Sequence, residues 1–250
     1  MARMGGSRHL KRLAAPAFWP ILRKEHVWAV KPSPGPHPVE KCLPLLVLIR
    51  DVFGYAETAR EARRIISEGK VFVDGVPRKN YKFPVGLMDV VSFPDLDEYY
   101  RICPHPTRFL WPVKIPREEA ELKLVRIENK VTVKGGHIQL NLHDGRNILI
   151  KVSNPTKPSE DVYKTMGTLL IKVPSQEIVE YVPFEEGVLA IVVDGKNVGR
   201  MGRVVGIQKG MGRKRTLVTL EDEQGHRFQT ILEYVFVVGR EKPLVTVMGR

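Results

Sequence analysis

The chain has 250 residues, with 40 lysines and arginines against 28 acids and a formal net charge of +12. A surface so far from neutral repels itself and seeks an anionic partner, and a basic domain is the electrostatic footprint of nucleic-acid binding. A membrane is the rival partner, but the longest apolar run, Cys42–Ile49, is broken by Pro44 and falls far short of the roughly 20 residues that span a bilayer.

No apolar h-region opens the sequence, so no secretory signal is expected. Cys42 and Cys103 stand far apart without a partner motif, which fits a reducing compartment better than a disulfide scaffold. A hydrophobic content of 43% excludes disorder over most of the length but leaves room for a disordered arm.

Residues 1–41 form such an arm. Arg3, Arg8, Lys11, Arg12, Arg23, Lys24, Lys31 and Lys41 face only Glu25 and Glu40, a net +6 and half of the chain's total. Charge concentrated in this way points to an arm lying on a polyanion. Lys31-Pro-Ser-Pro-Gly-Pro-His-Pro38 reads as an extended polyproline-like linker, since each proline removes a donor and fixes φ. Trp19 and Trp28 lie between basic residues, where they either pack in a core or stack on bases. The arm is expected to order only on binding.

Residues 42–104 read as a small α+β module. Leu43–Phe53 is an apolar helix, and Thr58-Ala-Arg-Glu61 fits a capping box opening a second one. In that second helix Ala59, Ala62, Ile65 and Ile66 share one face, while Arg60, Arg63 and Arg64 share the opposite one. Gly69 suits the position after the helix, Lys70–Val73 alternates as a strand, and Asp74-Gly75 marks a tight turn before the strand Asp89–Phe93. Three guanidiniums on one face make a comb for phosphates or for the shallow minor groove of an RNA helix; Lys70, Arg78, Lys79 and Lys82 extend it. The plainer alternative is a solvated basic face.

Residues 105–183 are strand-rich, with Lys130–Val133 and Ile138–Leu142 flanking Gly135-Gly136 and Asn147–Val152 following Asp144-Gly145. Residues 184–250 continue in the same style. Val188–Val193, a glycine-punctuated strand, Thr216–Leu220, His226–Ile231 and Val235–Val238 suit a five-stranded barrel with a C-terminal tail. Within it, Gly195-Lys-Asn-Val-Gly-Arg-Met-Gly-Arg-Val-Val205 pairs Lys196, Arg200 and Arg203 with glycines that allow close approach to phosphate, and Arg213, Lys214 and Arg215 add cationic reach.

These segments resemble known families. Thr58–Arg78 resembles the S-four RNA-binding domain, and Gly195–Val205 resembles the KOW motif, with Gly202 at its hallmark glycine. Gly136–Asn147 resembles the central domain of the small-subunit ribosomal protein S-four-e family of archaea and eukaryotes. His9–Pro16, Gly35-Pro-His37 and Cys42–Leu45 resemble the same family, as does the order of the modules.

The resemblance implies an α+β, multi-domain chain: a basic N-terminal extension (1–41), an S-four module (42–104), a β-rich central module (105–183) and an SH3-like KOW β-barrel with tail (184–250). It also implies a cytoplasmic constituent of the small ribosomal subunit that binds 16S-like rRNA beside neighbouring ribosomal proteins, with no cofactor, membrane or small-molecule substrate. On this reading the RNA-binding residues include His9 of the arm and His143 and Arg146 of the central module, besides those already named.

The alternative is an RNA-modifying enzyme, such as a pseudouridine synthase, or another factor carrying these modules. Such a synthase needs an aspartate in an Arg-Leu-Asp context and a large catalytic domain, and the chain contains no Arg-Leu-Asp. His137, His143 and Asp144 lack the four ligands of a zinc site, so packing or hydrogen bonding to RNA is the expectation for these histidines. Cys103-Pro-His105 lacks a third partner and an oxyanion site, and no phosphate-loop or dinucleotide pattern appears. No catalytic residue and no metal ligand is therefore expected.

Overall fold

In the computed structural model the described residues are 6–154, 161–210 and 215–247, and they form a β-rich chain with few helices. The arm contributes a small ribbon in which β1 (Leu10–Lys11) pairs antiparallel with β2 (Trp28–Ala29). It does not wait for a partner to fold. Trp19 is buried and its Nε1–H donates to the Cys42 carbonyl at 2.9 Å. The proline-rich stretch, expected as an extended polyproline-like linker, is pinned to the first module: the Ser33 N–H donates to the Lys82 carbonyl, and His37 is buried. A burial large enough for an indole outweighs the ordering entropy that a polar arm could not offset.

β3 (Cys42–Pro44) pairs with β6 (Pro84–Gly86), and between them the chain makes two helices. The apolar run expected as one helix from residue 43 starts later. Pro44 holds an extended φ/ψ ahead of α1 (Leu45–Val47), and the chain then continues as a π-type turn over Leu48–Val52. α2 (Ala59–Ser67) buries Ala62 and Ile66.

β4 (Phe72–Val73) and β5 (Val76–Pro77) close on Asp74-Gly75, both at positive φ (+51° and +73°), the type I′ geometry that such a dipeptide adopts. β7 (Val90–Phe93), β8 (Glu98–His105) and β9 (Phe109–Lys114) complete a five-stranded sheet in the order β5-β4-β7-β8-β9. That sheet runs past residue 104, where the composition placed a module boundary.

The central sheet is built on β10 (Leu122–Thr132), of which only the last residues were legible as a strand. Its first half pairs with β13 (Thr168–Lys172) and its second with β11 (Ile138–Leu142), the register shifting between Ile127 and Asn129. β12 (Asn147–Ile150) and β14 (Glu177–Val182) form the edges. The last sheet holds β15 (Leu189–Val192), β16 (Met201–Gln208), β17 (Leu217–Glu221), β18 (Arg227–Ile231) and β19 (Val235–Gly239) in the order β18-β17-β16-β15-β19.

Each sheet has its own core, but a further cluster joins them. Met88 and Cys103 from the first, Leu124 and Leu170 from the central, and Leu189, Ile191, Phe236 and Val238 from the last pack together. The three sheets are therefore fused through apolar contact rather than strung as independent beads.

Candidate nucleic-acid interface

α2 presents its arginines as its periodicity predicts. The Thr58 hydroxyl accepts from the Glu61 N–H at 3.3 Å, and the Glu61 carboxylate accepts from the Thr58 N–H, so the capping box fixes where the first turn begins. These hydrogen bonds to the backbone and hydroxyl of Thr58 hold the Glu61 carboxyl below its ordinary value. Arg60, Arg63 and Arg64 are exposed. Arg64 reaches Glu68 at 3.0 Å, and Lys70 reaches the same carboxylate at 2.9 Å. Arg63 lies over the Tyr81 ring at 4.6 Å, and Lys82 lies 5.5 Å from the same ring. Lys79 is exposed, whereas Arg78 is half-buried with its guanidinium over Phe83 at 4.4 Å.

The arm meets this helix across a groove of about 790 Å³. Arg8, His9, Trp28 and Lys31 form one wall; Thr58, Arg63, Tyr81 and Lys82 form the other. Residues far apart in sequence are thus gathered on one cationic surface. Of the two arm tryptophans, Trp19 belongs to the core and Trp28 is 58% exposed, its ring 5.4 Å from that of His9. Lys11 and Lys24 are exposed nearby along the arm.

Two arm arginines are employed inside the protein instead. Arg12 is buried, donating to the carbonyls of Leu22 and Trp28, and Arg23 donates to the carbonyls of Arg12, Leu13, Ala15 and Pro16. Guanidiniums with five donors in a fixed fork suit this stapling of irregular backbone, which turns these two side chains toward protein carbonyls. Arg3, Arg213 and Lys214 lie outside the described residues.

On the last sheet and its connecting segments Lys196, Arg200, Arg203 and Arg215 are exposed, with Arg200 5.6 Å from the Phe228 ring. Gly202 is buried within β16, and a Cβ there would fall 2.7 Å from the Glu221 carbonyl oxygen of β17. The glycine is needed for strand-to-strand approach, a different reason from the close contact with phosphate expected from its spacing. The groove beside it also carries Glu221, Asp222 and Glu223, so this surface is mixed in charge.

His143 and Arg146 are drawn into a buried polar junction. Lys123 Nζ lies 2.7 Å from Asp74, 2.5 Å from Asp89 and 3.1 Å from Asp144. Arg146 adds contacts to Asp74 at 2.6 Å and Asp144 at 3.4 Å, and His37 of the arm donates to Asp89 at 3.0 Å. Burial raises the Asp74 carboxyl, an effect Lys123 does not overcome. For Asp89 burial acts in the same sense, but His37 and Lys123 prevail and hold it well below the carboxylate range.

His143 Nδ1 accepts from the Arg126 N–H at 3.1 Å, so its proton sits on Nε2, 3.3 Å from the Leu87 carbonyl. Burial, with Lys123, His37 and Arg126 nearby, pushes it down to about 3 despite Asp144. The arrangement holds a neutral imidazole between modules, which is the packed alternative for this histidine.

Reasoning from the sequence did not single out Arg101, Lys123 or Arg126. All three are buried and bind across modules, Arg101 to the Thr246 carbonyl and Arg126 to the Glu233 and Val235 carbonyls. It also passed over Tyr81, whose only sequence signal is its place between Lys79 and Lys82.

Comparison with known proteins agrees with this architecture. Residues 4–40 match the RS4NT domain, residues 52–91 the S4 domain, and residues 96–178 the Ribosomal family S4e. The small ribosomal subunit protein eS4 of Staphylothermus marinus is 63% identical over 245 residues, covering 98% of this chain and 97% of its own. That of Ignicoccus hospitalis is 64% identical over 247 residues, with the same two coverages. The crystal structure of the 30S ribosomal protein S4e from Thermoplasma acidophilum superposes with a TM-score of 0.66 at 31% identity, covering 80% of this chain and 95% of that one. With likeness running through arm, helix comb and all three sheets, the chain belongs to the ribosomal S4e family.

Proposed function

We propose that the chain is a structural, non-catalytic constituent of the small ribosomal subunit in the cytoplasm, binding its rRNA through cationic surfaces. The observation that carries this reading is 63–64% identity with small-subunit eS4 proteins over 98% of the chain. The exposed arginine comb of α2 and the cationic groove supply the chemistry. Arg8, His9, Lys11, Lys24, Arg60, Arg63, Arg64, Lys70, Lys79 and Lys82 form the principal RNA surface. Lys196, Arg200, Arg203 and Arg215, on the sheet read as a KOW barrel, form a second. Their charges neutralise phosphates and release counterions, so binding weakens steeply with salt.

The fused core sets the two cationic surfaces at a fixed separation, so each raises the effective concentration of the other.

Sedimentation tests the reading. Tagged chain expressed in its host should travel with small-subunit particles and their precursors. The Arg60→Ala, Arg63→Ala, Arg64→Ala variant should be stripped from them at lower salt, with the salt slope reduced by about 1 for each phosphate that is no longer neutralised. Wild-type chain remaining free at the top of the gradient overturns the assignment, and an unchanged slope removes α2 from the interface.

A further inference from the structure

The groove between the arm and α2 carries a feature that duplex binding does not use. Phosphate contacts need cations, and Arg8, Lys31, Arg63 and Lys82 provide them. They do not need an exposed indole, yet Trp28 stands on this wall at 58% exposure while Trp19, nine residues earlier, is fully used in the core. A tryptophan left in water forgoes the burial that makes the residue valuable in a core. Tyr81 on the opposite wall is partly covered by Arg63 and Lys82, so Trp28 is the more open ring of the two.

The cavity, about 790 Å³, falls within the ~300–1,000 Å³ of pockets that enclose a small ligand. Its charged lining is cationic apart from Glu57. Base pairs within a helix have both faces already stacked, so only an unpaired base can lie on an aromatic side chain.

Resting on the rRNA-binding reading above, we propose that this groove receives an unpaired RNA nucleotide, with its base stacked on Trp28 and its phosphate held by Arg63 and Lys82. Stacking of this kind tolerates any base, because every base has a π-face. The site therefore selects strandedness rather than sequence. His9, beside Trp28, bounds the platform on the arm side.

The test uses the full chain, a short single-stranded RNA of mixed sequence and a blunt RNA duplex of the same length. Single-stranded RNA should quench the tryptophan fluorescence of the wild type, and most of that quenching should vanish in Trp28→Phe. Trp28→Ala should weaken single-strand binding by about 5- to 150-fold, the range for losing one base–aromatic stack. Its affinity for the duplex should stay unchanged, and so should its thermal midpoint, because the side chain is exposed.

If Trp28→Ala binds the single strand as tightly as wild type while the α2 triple variant loses affinity, the nucleotide site is wrong and the rRNA reading stands. Equal losses for single strand and duplex also overturn the site, since they assign Trp28 to general binding. If the wild type binds neither RNA and is absent from small-subunit particles, the underlying reading fails as well.

Discussion

Lys123 carries a charge on a +12 chain without contributing to its surface. It is 1% exposed and surrounded by three aspartates, two from the first sheet's loops and one from the central module. Its ammonium is held charged, because those carboxylates outweigh the burial that would otherwise lower it. Placing such ions out of water costs several kcal/mol each unless they are mutually satisfied, so the cluster specifies one docking of the modules more than it adds stability.

His143 sits beside it as a neutral ring, and the consequence is measurable. Between its ordinary value of 6.5 and its folded value of about 3, the unfolded chain takes up a proton that the folded chain refuses. Stability should therefore fall as pH drops through that window, by up to about 1.4 kcal/mol per pH unit from this group alone. Asp89 and Asp144, both held below 3.8, add to the loss only at lower pH, and Asp74, raised by burial, opposes it. Denaturant unfolding between pH 6.5 and pH 4.5 should show a shallower dependence for His143→Gln than for wild type. Equal slopes would mean that the imidazole is protonated inside the fold.

Elements of this chain owe their boundaries to a few local interactions. α2 begins where Thr58 and Glu61 exchange hydrogen bonds, and its opposite faces are occupied by Ala62 and Ile66 on one side and the arginine comb on the other. Thr58→Ala should cost about 1 kcal/mol, lowering the thermal midpoint by about 2–4 °C for a chain of this size. Circular dichroism melting reads this directly, and an unshifted midpoint would show that packing on α1 alone defines the start of the helix.

β10 follows a different logic. Its eleven residues serve two neighbours, bending at the shift near Ile127 so that Leu122–Arg126 face β13 and the remainder face β11. No turn or cap announces its first half. Arg101, Lys123 and Arg126, each within a strand, all reach partners in other modules.

At the scale of the whole molecule the arm decides how many parts the protein has. Composition describes a basic extension that orders on RNA. The structure instead lays it over the first module, with Trp19 in the shared core and His37 closing the polar junction. Deleting residues 2–38 removes a buried indole, a change worth about 3–5 kcal/mol in a core, and leaves Asp89 buried without its imidazole partner. Calorimetry of the truncated chain should show a clearly lowered midpoint with loss of cooperativity. A transition identical to that of the full chain would restore the arm to a passive tail.

Taken alone, the order of residues determined whatever depends on neighbours a few positions apart. The capping box of α2, the Asp74-Gly75 hairpin, the alternation of β11 and the strands of the last sheet were all readable, because turns, caps and periodicity are short-range physics. Net charge and the arginine comb pointed to a polyanionic partner for the same reason. Only the tertiary structure decided which cations are free.

Arg12, Arg23 and Arg146 look no different in sequence from Arg8 or Arg60, yet the first three are tied to carbonyls or carboxylates, Arg146 to an aspartate 72 residues away. It likewise sorted Trp19 into the core and Trp28 onto the groove, and gave Gly202 to strand packing. Whether a side chain meets solvent or protein is set by partners distant along the chain, and such pairings leave no local pattern to read.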